Sequence, residues 1–196
     1  MRGRASTAWA FVAWAWAAAT LVGCGSKAKT PDQAYRRFSA AVQAGDAGAL
    51  FDALDQPSRW AWMTVQKWHR EAYDIVLSNF PEGPAREREL RRFQAGATAT
   101  SGRELFRAEM SGTLPTLTAL AVADATIAVD PAGDTAAAVL VSGVRVPLRR
   151  GENGGWGYAG LAEQSEERKN RAFHDLEGLR ASAADYERAA ARAASK

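Results

Sequence analysis

The apolar positions of the chain form three successive patterns. From residue 30 to about 112 they recur at steps of three and four, which is the spacing of one face of an α-helix. Between 117 and 159 they alternate with polar positions, as in strands that are buried on one side. From 161 to about 193 the helical spacing returns. Helices followed by strands with short connections predict an α+β domain that is built on an antiparallel sheet.

The first part contains five predicted helices. Thr30 and Pro31 mark the start of the first, because threonine caps helices and proline fits their first turn. Asp46 caps the second helix, which Pro57 ends. The other three are predicted over 58–79, over 84–94 and from Ser101 to Gly112, with Ser101-Gly102-Arg103-Glu104 as the capping box of the last. In the third helix the apolar positions cover more than one stripe, which predicts burial on two sides or a position beside a cavity.

Four strands are predicted in the middle part. Turns at 130–134 and 151–155 contain the proline and glycine residues that provide turn torsions. Strands that follow one another through short turns predict an antiparallel meander. The predicted strands cover 117–129, 135–142, 144–149 and 156–159.

The last predicted helix carries a heptad-like row of mostly small apolar residues, here called the seam. Its members are Ala172, Leu176, Leu179, Ala183, Tyr186, Ala190 and Ala193. One interpretation is a long helix that packs along the domain. The other is a coiled coil with a protein partner, in which Leu176, Leu179, Ala183 and Tyr186 make the contacts.

Residues 1–23 have the layout of a secretory signal: Arg2 and Arg4, an apolar run over 8–22, and small residues before the only cysteine. The segment ends in Leu21-Val22-Gly23-Cys24, which resembles the lipobox of bacterial lipoproteins. That resemblance implies removal of 1–23, acylation of Cys24, and a membrane anchor followed by a short tether over 24–29. Buried acyl chain contributes about 0.8 kcal/mol per methylene, so two or three chains hold a protein firmly.

The alternative for the N-terminal segment is an uncleaved helical anchor. Residues 6–26 carry no charge and are long enough to span a bilayer, although they are rich in alanine. In Gram-negative lipoproteins an aspartate directly after the cysteine often signals retention in the inner membrane. Gly25 stands at that position here, so the resemblance implies the outer membrane, on its periplasmic side.

Composition argues against a nucleic-acid partner. The formal net charge of the whole chain is +3, and Arg2 and Arg4 leave with the signal. Binding to nucleic acid depends on a strongly basic surface, which so small a charge does not provide. Once Cys24 is acylated, no thiol remains for a disulfide or a metal site. The folded part must therefore be stabilised by an ordinary core.

Four short motifs carry a second resemblance. They are Thr30-Pro31-Asp32-Gln33-Ala34, Ala44-Gly45-Asp46-Ala47, Val146-Pro147-Leu148-Arg149-Arg150 and Gly154-Gly155-Trp156-Gly157-Tyr158. Together they resemble small lipoproteins with an NTF2-like (nuclear transport factor 2-like) domain, over about 30–55 and 117–160. The resemblance implies a curved antiparallel sheet that N-terminal helices close into a cone, often around a pocket.

The same resemblance divides the mature chain into an NTF2-like domain over 30–160 and a C-terminal helix over 161–196. A helical insertion at about 81–114 and the C-terminal helix both lie outside the common pattern. Either of them could fill or cover the pocket of the cone.

The chain has two histidines, His69 and His174. Neither has the H-E-x-x-H spacing of a zinc protease, and the chain has no G-x-S-x-G nucleophile motif. The glycines of 151–155 lie between antiparallel strands and are interpreted as a turn. His69 is interpreted as an exposed or half-buried helix residue and His174 as a solvated one, and neither a metal nor a cofactor is expected.

The best candidate binding residues are four aromatic side chains of the third helix: Trp60, Trp62, Trp68 and Tyr73. Apolar pockets often use such rings. The alternative is that the rings pack between this helix and the sheet.

Two functions follow from these observations. The preferred one is a lipid-anchored, non-catalytic binding or assembly module, with an apolar small molecule or a protein as its partner. The alternative is an enzyme of the ketosteroid isomerase-like type, as some NTF2-like domains are. That chemistry needs a carboxylate base in an apolar pocket, and the sequence does not identify one.

Overall fold

Helices form the beginning and the end of the fold, and a small sheet lies between them. The computed structural model describes residues 27–121, 124–130 and 132–195. Cys24 and the predicted signal segment 1–23 lie outside these ranges. Within them, no helix has both the length and the apolar character that crossing a bilayer requires.

The described elements follow the predicted order of helices, strands and one long helix. The helices are α1 (Pro31–Gln43), α2 (Ala47–Ala53), α3 (Gln56–Asn79), α4 (Pro84–Thr98), α5 (Gly102–Met110) and α6 (Ala162–Ala194). The strands are β1 (Ala125–Val129), β2 (Thr135–Leu140), β3 (Arg145–Arg150) and β4 (Trp156–Tyr158). A 3₁₀ segment, Leu114–Leu120, precedes β1. The predicted α+β class, with an antiparallel sheet and a long C-terminal helix, is confirmed.

Side-chain caps fix the starts of several helices. In each case the side-chain oxygen accepts a hydrogen bond from the backbone N–H three residues later. The distance is 3.2 Å for Thr30, 2.9 Å for Asp46 and 3.2 Å for Ser101. Each cap satisfies an N–H group that has no partner inside its helix. These three caps were predicted from the sequence and are confirmed.

The boundary at Pro57 differs from the prediction. The helix α3 begins at Gln56, so Pro57 lies in its first turn instead of ending α2. Proline is tolerated there because an N–H in the first turn has no helical partner to lose. Asp55 provides the cap, and its Oδ1 accepts a hydrogen bond from Ser58 N at 3.2 Å. The proline therefore starts a helix.

The predicted strand over 117–129 is wrong in its first half. Its first residues belong to the 3₁₀ segment, and the strand β1 begins only at Ala125. Leu114 and Leu117 are both buried, three residues apart. That spacing places them on the same side of a 3₁₀ turn, which has three residues per turn. The short alternation of apolar residues was consistent with either structure.

The sheet is an antiparallel meander with the strand order β1-β2-β3-β4. Its register pairs Ile127 with Ala138 and Leu148 with Tyr158. The helix α1 contacts all four strands. Phe38 of α1 is fully buried and stacks on Tyr158 with 4.0 Å between the ring centroids. This contact joins the first helix to the last strand.

Two distant segments cover the outer edge of β4. Ala28 forms an antiparallel bridge with Trp156, whose N–H donates to Ala28 O at 2.9 Å. Leu54 forms a parallel bridge with Tyr158, and Asp55 N donates to Tyr158 O at 2.9 Å. The chain is thus held against the sheet from Ala28 onward. The end of the sheet near Ala28 is called the tether end below.

The described residues form two hydrophobic cores. The main core joins the sheet, α1, α2, α5, the 3₁₀ segment and the first half of α3. The second core joins the rest of α3 with α4 and α6, and it contains Ala72, Val76, Phe93, Leu176 and Leu179. The predicted insertion over 81–114 is divided between them, because α4 packs in the second core and α5 in the main core.

The two longest helices, α3 and α6, run side by side in the same direction. Trp62 Nε1 donates to Ser165 Oγ at 3.1 Å near their starts, and Asn79 Nδ2 donates to Glu187 Oε1 at 2.7 Å near the end of α3. At about 1.5 Å per residue, the 24 residues of α3 extend roughly 35 Å away from the tether end. The helix α6 continues beyond Glu187 to Ala194.

Candidate functional site

A surface cleft of about 620 Å³ lies where α1, α2 and the first turns of α3 meet the start of β4. Six alanines from α1, α2 and the loop between them line it. They are Ala34, Ala40, Ala41, Ala44, Ala49 and Ala53. Because the side chain of alanine is a single methyl group, this part of the lining is apolar and a ligand can approach both helices closely. The volume lies in the range of about 300–1,000 Å³ that small-molecule sites occupy.

The charged residues of the cleft are three cations and two carboxylates: Lys27, Arg37, Arg59, Asp46 and Asp52. Both carboxylates already have partners. Asp46 caps α2, and Asp52 Oδ2 accepts a hydrogen bond from the Nε of Arg103 at 3.1 Å. The cations therefore dominate what the cleft offers to a ligand.

Two of these cations have no acidic partner within the part of the chain that the structure describes. Lys27 is exposed to solvent. Arg59 is partly buried, and its Nε is buried without a hydrogen-bond partner. A buried donor of this kind gains most from an added acceptor, because it has already lost its contact with water. The cleft is thus suited to an anionic group.

The start of the described chain forms one wall of the cleft. Ala28 is buried against β4, and Lys27 and Trp156 both border the cleft. The half-buried Trp156 thus lines the same cleft as the exposed Lys27. The cleft is therefore built around the point where the tether joins the fold.

The tryptophans predicted as pocket lining have different surroundings. Trp62 is only 3% exposed, and its ring meets Phe106 edge-on at 5.1 Å between centroids. Its indole N–H is satisfied by Ser165. Trp60, two residues earlier, is 53% exposed. The first ring packs in the main core and the second faces solvent, so the two do not share a cavity wall.

The other two rings lie further along α3. Trp68 packs against Phe173 of α6, with 5.5 Å between the ring centroids. Tyr73 is partly buried beside the second core. None of the four predicted residues borders the cleft of Lys27 and Arg59. The structure spreads them along one helix and does not bring them together.

The seam of the C-terminal helix packs within the chain. Leu176, Leu179 and Ala183 are buried where α6 lies against α3. Tyr186 follows them, and its ring meets Phe80 edge-on at 4.9 Å between centroids. Of the two interpretations of the seam, the packed helix is the one that the structure shows for these residues. Ala190 and Ala193 lie on the exposed end of α6.

The prediction that His69 is exposed or half-buried is wrong: it is buried where α3 packs against α4, and its ring meets Phe93 edge-on. A methyl group at Gly96 would come within 2.3 Å of His69 Cβ, so the glycine allows this close packing. Burial lowers the pKa of His69 below 6.5, and the positive charges of Arg168 and Arg92 act in the same direction. The nearby Glu109 and Asp175 oppose the shift.

These contacts predict that the protein loses stability in mild acid. Below about pH 6.5 the unfolded chain gains a proton on His69 that the folded chain excludes. The free energy of unfolding therefore decreases as the pH is lowered. The dependence of the free energy of unfolding on pH that one histidine contributes is at most about 1.4 kcal/mol per pH unit. Chemical denaturation at about pH 7.5, 6.5 and 5.5 measures how the free energy of unfolding changes with pH.

The variant His69→Gln is expected to reduce this fall. The matched control is His174→Gln on the exposed face of α6, which removes a histidine without altering the packing around Phe93. The control is expected to retain the wild-type slope. Equal slopes in the wild type and His69→Gln would show that His69 does not cause the fall.

Comparison with known proteins gives no relative: no family model, curated protein or solved structure matches the chain. Among residues 27–121, 124–130 and 132–195, no three histidine, cysteine, aspartate or glutamate side chains come together as a metal site requires.

Sequence reasoning did not find the cleft. Two of its cations, Lys27 and Arg59, lie far from Trp156 in the sequence, and no motif joins them. The alanines of α1 and α2 are a weak signal, since Ala34 and Ala41 lie on one face of α1. Alanine at such positions predicts close helix packing as readily as a cleft.

Proposed function

We propose that the chain is an exported lipoprotein of the cell envelope, held to a membrane by acyl chains on Cys24. The order of basic, apolar and small residues before Cys24 carries the proposal. The fold supports it at one point. Ala28, four residues after Cys24, is already buried against the sheet, so the described fold begins directly after the proposed anchor. On the resemblance to Gram-negative lipoproteins, the membrane is the outer one and the protein faces the periplasm.

The folded part acts by binding, without catalysis. The cleft offers alanine methyl groups together with Lys27 and Arg59, which have no acidic partner among the described residues, and these hold a ligand by contact and charge. Its two carboxylates are engaged in a helix cap and an ion pair. The buried carboxylate of Asp55 caps α3 and lies 3.2 Å from Arg149 Nη1. These contacts give the carboxylates structural roles, which favours a binding module over the ketosteroid isomerase-like enzyme.

The NTF2-like assignment is a further part of the proposal. An antiparallel meander with the first helix packed across all four strands supports it. The buried stack of Phe38 on Tyr158 occupies the space between α1 and the sheet, where a cone would hold its pocket. We therefore propose the cleft, which lies outside such a cone, as the binding site.

The lipid anchor is tested with the variant Cys24→Ser. The wild type is expected to lose residues 1–23, to gain the mass of its acyl chains and to partition into detergent, because two or more buried chains anchor stably. The variant is expected to keep its precursor mass and its unmodified side chain. Mass spectrometry and detergent phase separation of membrane extracts measure both properties.

The matched control is Ser26→Ala, which changes a neighbouring tether residue and leaves Leu21-Val22-Gly23-Cys24 intact. It is expected to mature like the wild type. A Cys24→Ser protein that matures and partitions like the wild type contradicts the proposal. A wild-type protein that retains Met1 supports the uncleaved anchor instead.

A further inference from the structure

We propose that the cleft binds the phosphate of an anionic phospholipid headgroup in the membrane that holds Cys24. Lys27 and Arg59 are the ligands of the phosphate, and Trp156 lies at the depth of the headgroups. This inference rests on the lipid anchor proposed above. Beyond the anchor, the inference identifies an anionic phospholipid headgroup as the ligand and defines the orientation of the domain on the membrane.

Covalent geometry places the cleft close to the anchor. Ala28 follows Cys24 by four residues, which at full extension span about 14 Å. Ala28 cannot swing away from the sheet without breaking its pairing with Trp156, whose N–H donates to Ala28 O at 2.9 Å. Lys27 is one residue closer to Cys24 than Ala28 is. The cleft is therefore held within about one to two Debye lengths of the headgroups.

Charge then selects the ligand. Lys27 and Arg59 have no acidic partner among the described residues, and the buried Nε of Arg59 has no acceptor. A phosphate oxygen supplies that acceptor, and guanidinium groups recognise phosphate well. Basic side chains near an anionic bilayer surface are attracted to it. An exposed cation at the headgroup level thus gains a partner that the folded domain itself does not provide.

The aromatic residues of the tether end agree with this orientation. Tryptophan rings are favoured at the interface between water and lipid, because they are apolar with one polar group. Trp156 borders the cleft. Trp60 is 53% exposed and lies one helical turn beyond Gln56, which contacts the turn over 151–155. Both rings therefore lie near the end of the domain that faces the membrane.

The opposite end of the molecule provides a matched control. Arg188 and Arg192 lie on α6 beyond Glu187, which bonds to Asn79 at the far end of α3. Arg59 is twenty residues before Asn79 on α3, so the two pairs of cations are about 30 Å apart. Removing either pair changes the net charge of the chain by the same amount.

The experiment uses the full acylated protein in neutral detergent micelles. Isothermal titration compares dihexanoyl phosphatidylglycerol, dihexanoyl phosphatidylcholine and inorganic phosphate. Phosphatidylglycerol is expected to bind at least about tenfold more tightly than phosphatidylcholine, and more tightly than inorganic phosphate. The double variant Lys27→Gln/Arg59→Gln is expected to lose this preference, and Arg188→Gln/Arg192→Gln to keep it.

Because Lys27 is exposed, the single variant Lys27→Gln tests the site even if the double variant fails to fold. It is expected to lose part of the preference for phosphatidylglycerol over phosphatidylcholine. Equal affinities for the two lipids, or an unchanged preference in Lys27→Gln and in the double variant, overturn the proposal. If inorganic phosphate binds as tightly as phosphatidylglycerol, the proposal that a phospholipid is the ligand is wrong. The titration measures lipid binding by the cleft, whereas mass spectrometry measures the acylation of Cys24. Failure of the lipid-binding proposal can therefore be distinguished from failure of the lipid anchor.

Discussion

Replacing Phe38 with alanine is expected to lower the free energy of unfolding by about 3–5 kcal/mol. Phe38 is fully buried and stacks on Tyr158 with 4.0 Å between the ring centroids. The variant loses the transfer free energy of the ring, leaves a cavity between α1 and the sheet, and removes an aromatic pair. For a chain of this size the midpoint of thermal unfolding is expected to fall by roughly 10 °C. Calorimetry and urea denaturation measure the two quantities.

The matched control is Phe173→Ala on α6. Phe173 is 43% exposed and packs on Trp68 with 5.5 Å between centroids. Because the region around Phe173 is partly open to solvent and can relax, removal of its ring is expected to lower the free energy of unfolding by only about 1 kcal/mol. If both variants lose the same amount, the packing of α1 on the sheet is not the main source of stability.

The features that could be predicted from the sequence are the local ones. The caps at Thr30, Asp46 and Ser101 depend on atoms three residues apart, so their motifs determine them directly. The apolar row from Leu176 to Ala183 indicated the buried face of α6, because helical spacing alone decides which residues share a face. The order of elements, and with it the α+β class, followed from such local signals.

Where two local structures satisfy the same pattern, the sequence did not distinguish them. The short alternating run that begins at Leu117 fits a strand, but Leu114 and Leu117 are buried as neighbours on a 3₁₀ turn. Pro57 fits the end of one helix and the start of the next. In both cases packing against the main core decides the outcome, and packing depends on residues far away in the chain.

The candidate site depends entirely on such distant contacts. Lys27 reaches the cleft because Ala28 pairs with Trp156, and Arg59 reaches it because Leu54 and Asp55 pair with β4. No helical or strand period relates these residues. The aromatic residues of α3 were the more visible signal, yet they are divided between the core, the surface and the contact with α6.

The contact that places Arg59 beside the tether depends on a glycine. Gly157 lies in β4 opposite Arg149 of β3, and Leu54 crosses directly over it. A methyl group at this position would come within 2.4 Å of Leu54 O and 2.5 Å of Asp55 N. Backbone atoms cannot move aside as a flexible side chain can. Only glycine allows the junction between α2 and α3 to pair with the edge of the sheet.

The variant Gly157→Ala is therefore expected to lower the free energy of unfolding by about 3 kcal/mol, because overpacking against backbone separates Asp55 N from Tyr158 O. Gly178→Ala is its matched control: Gly178 lies in α6 with open space around it, so the added methyl group is expected to stabilise the helix by about 0.5–1 kcal/mol. Urea denaturation measures the change in the free energy of unfolding of each variant. If the change is negative for Gly157→Ala and positive for Gly178→Ala, the steric effect at Gly157 is distinguished from helix propensity. A Gly157→Ala protein as stable as the wild type would show that the junction does not pair with β4, and Arg59 would then lose its position in the cleft.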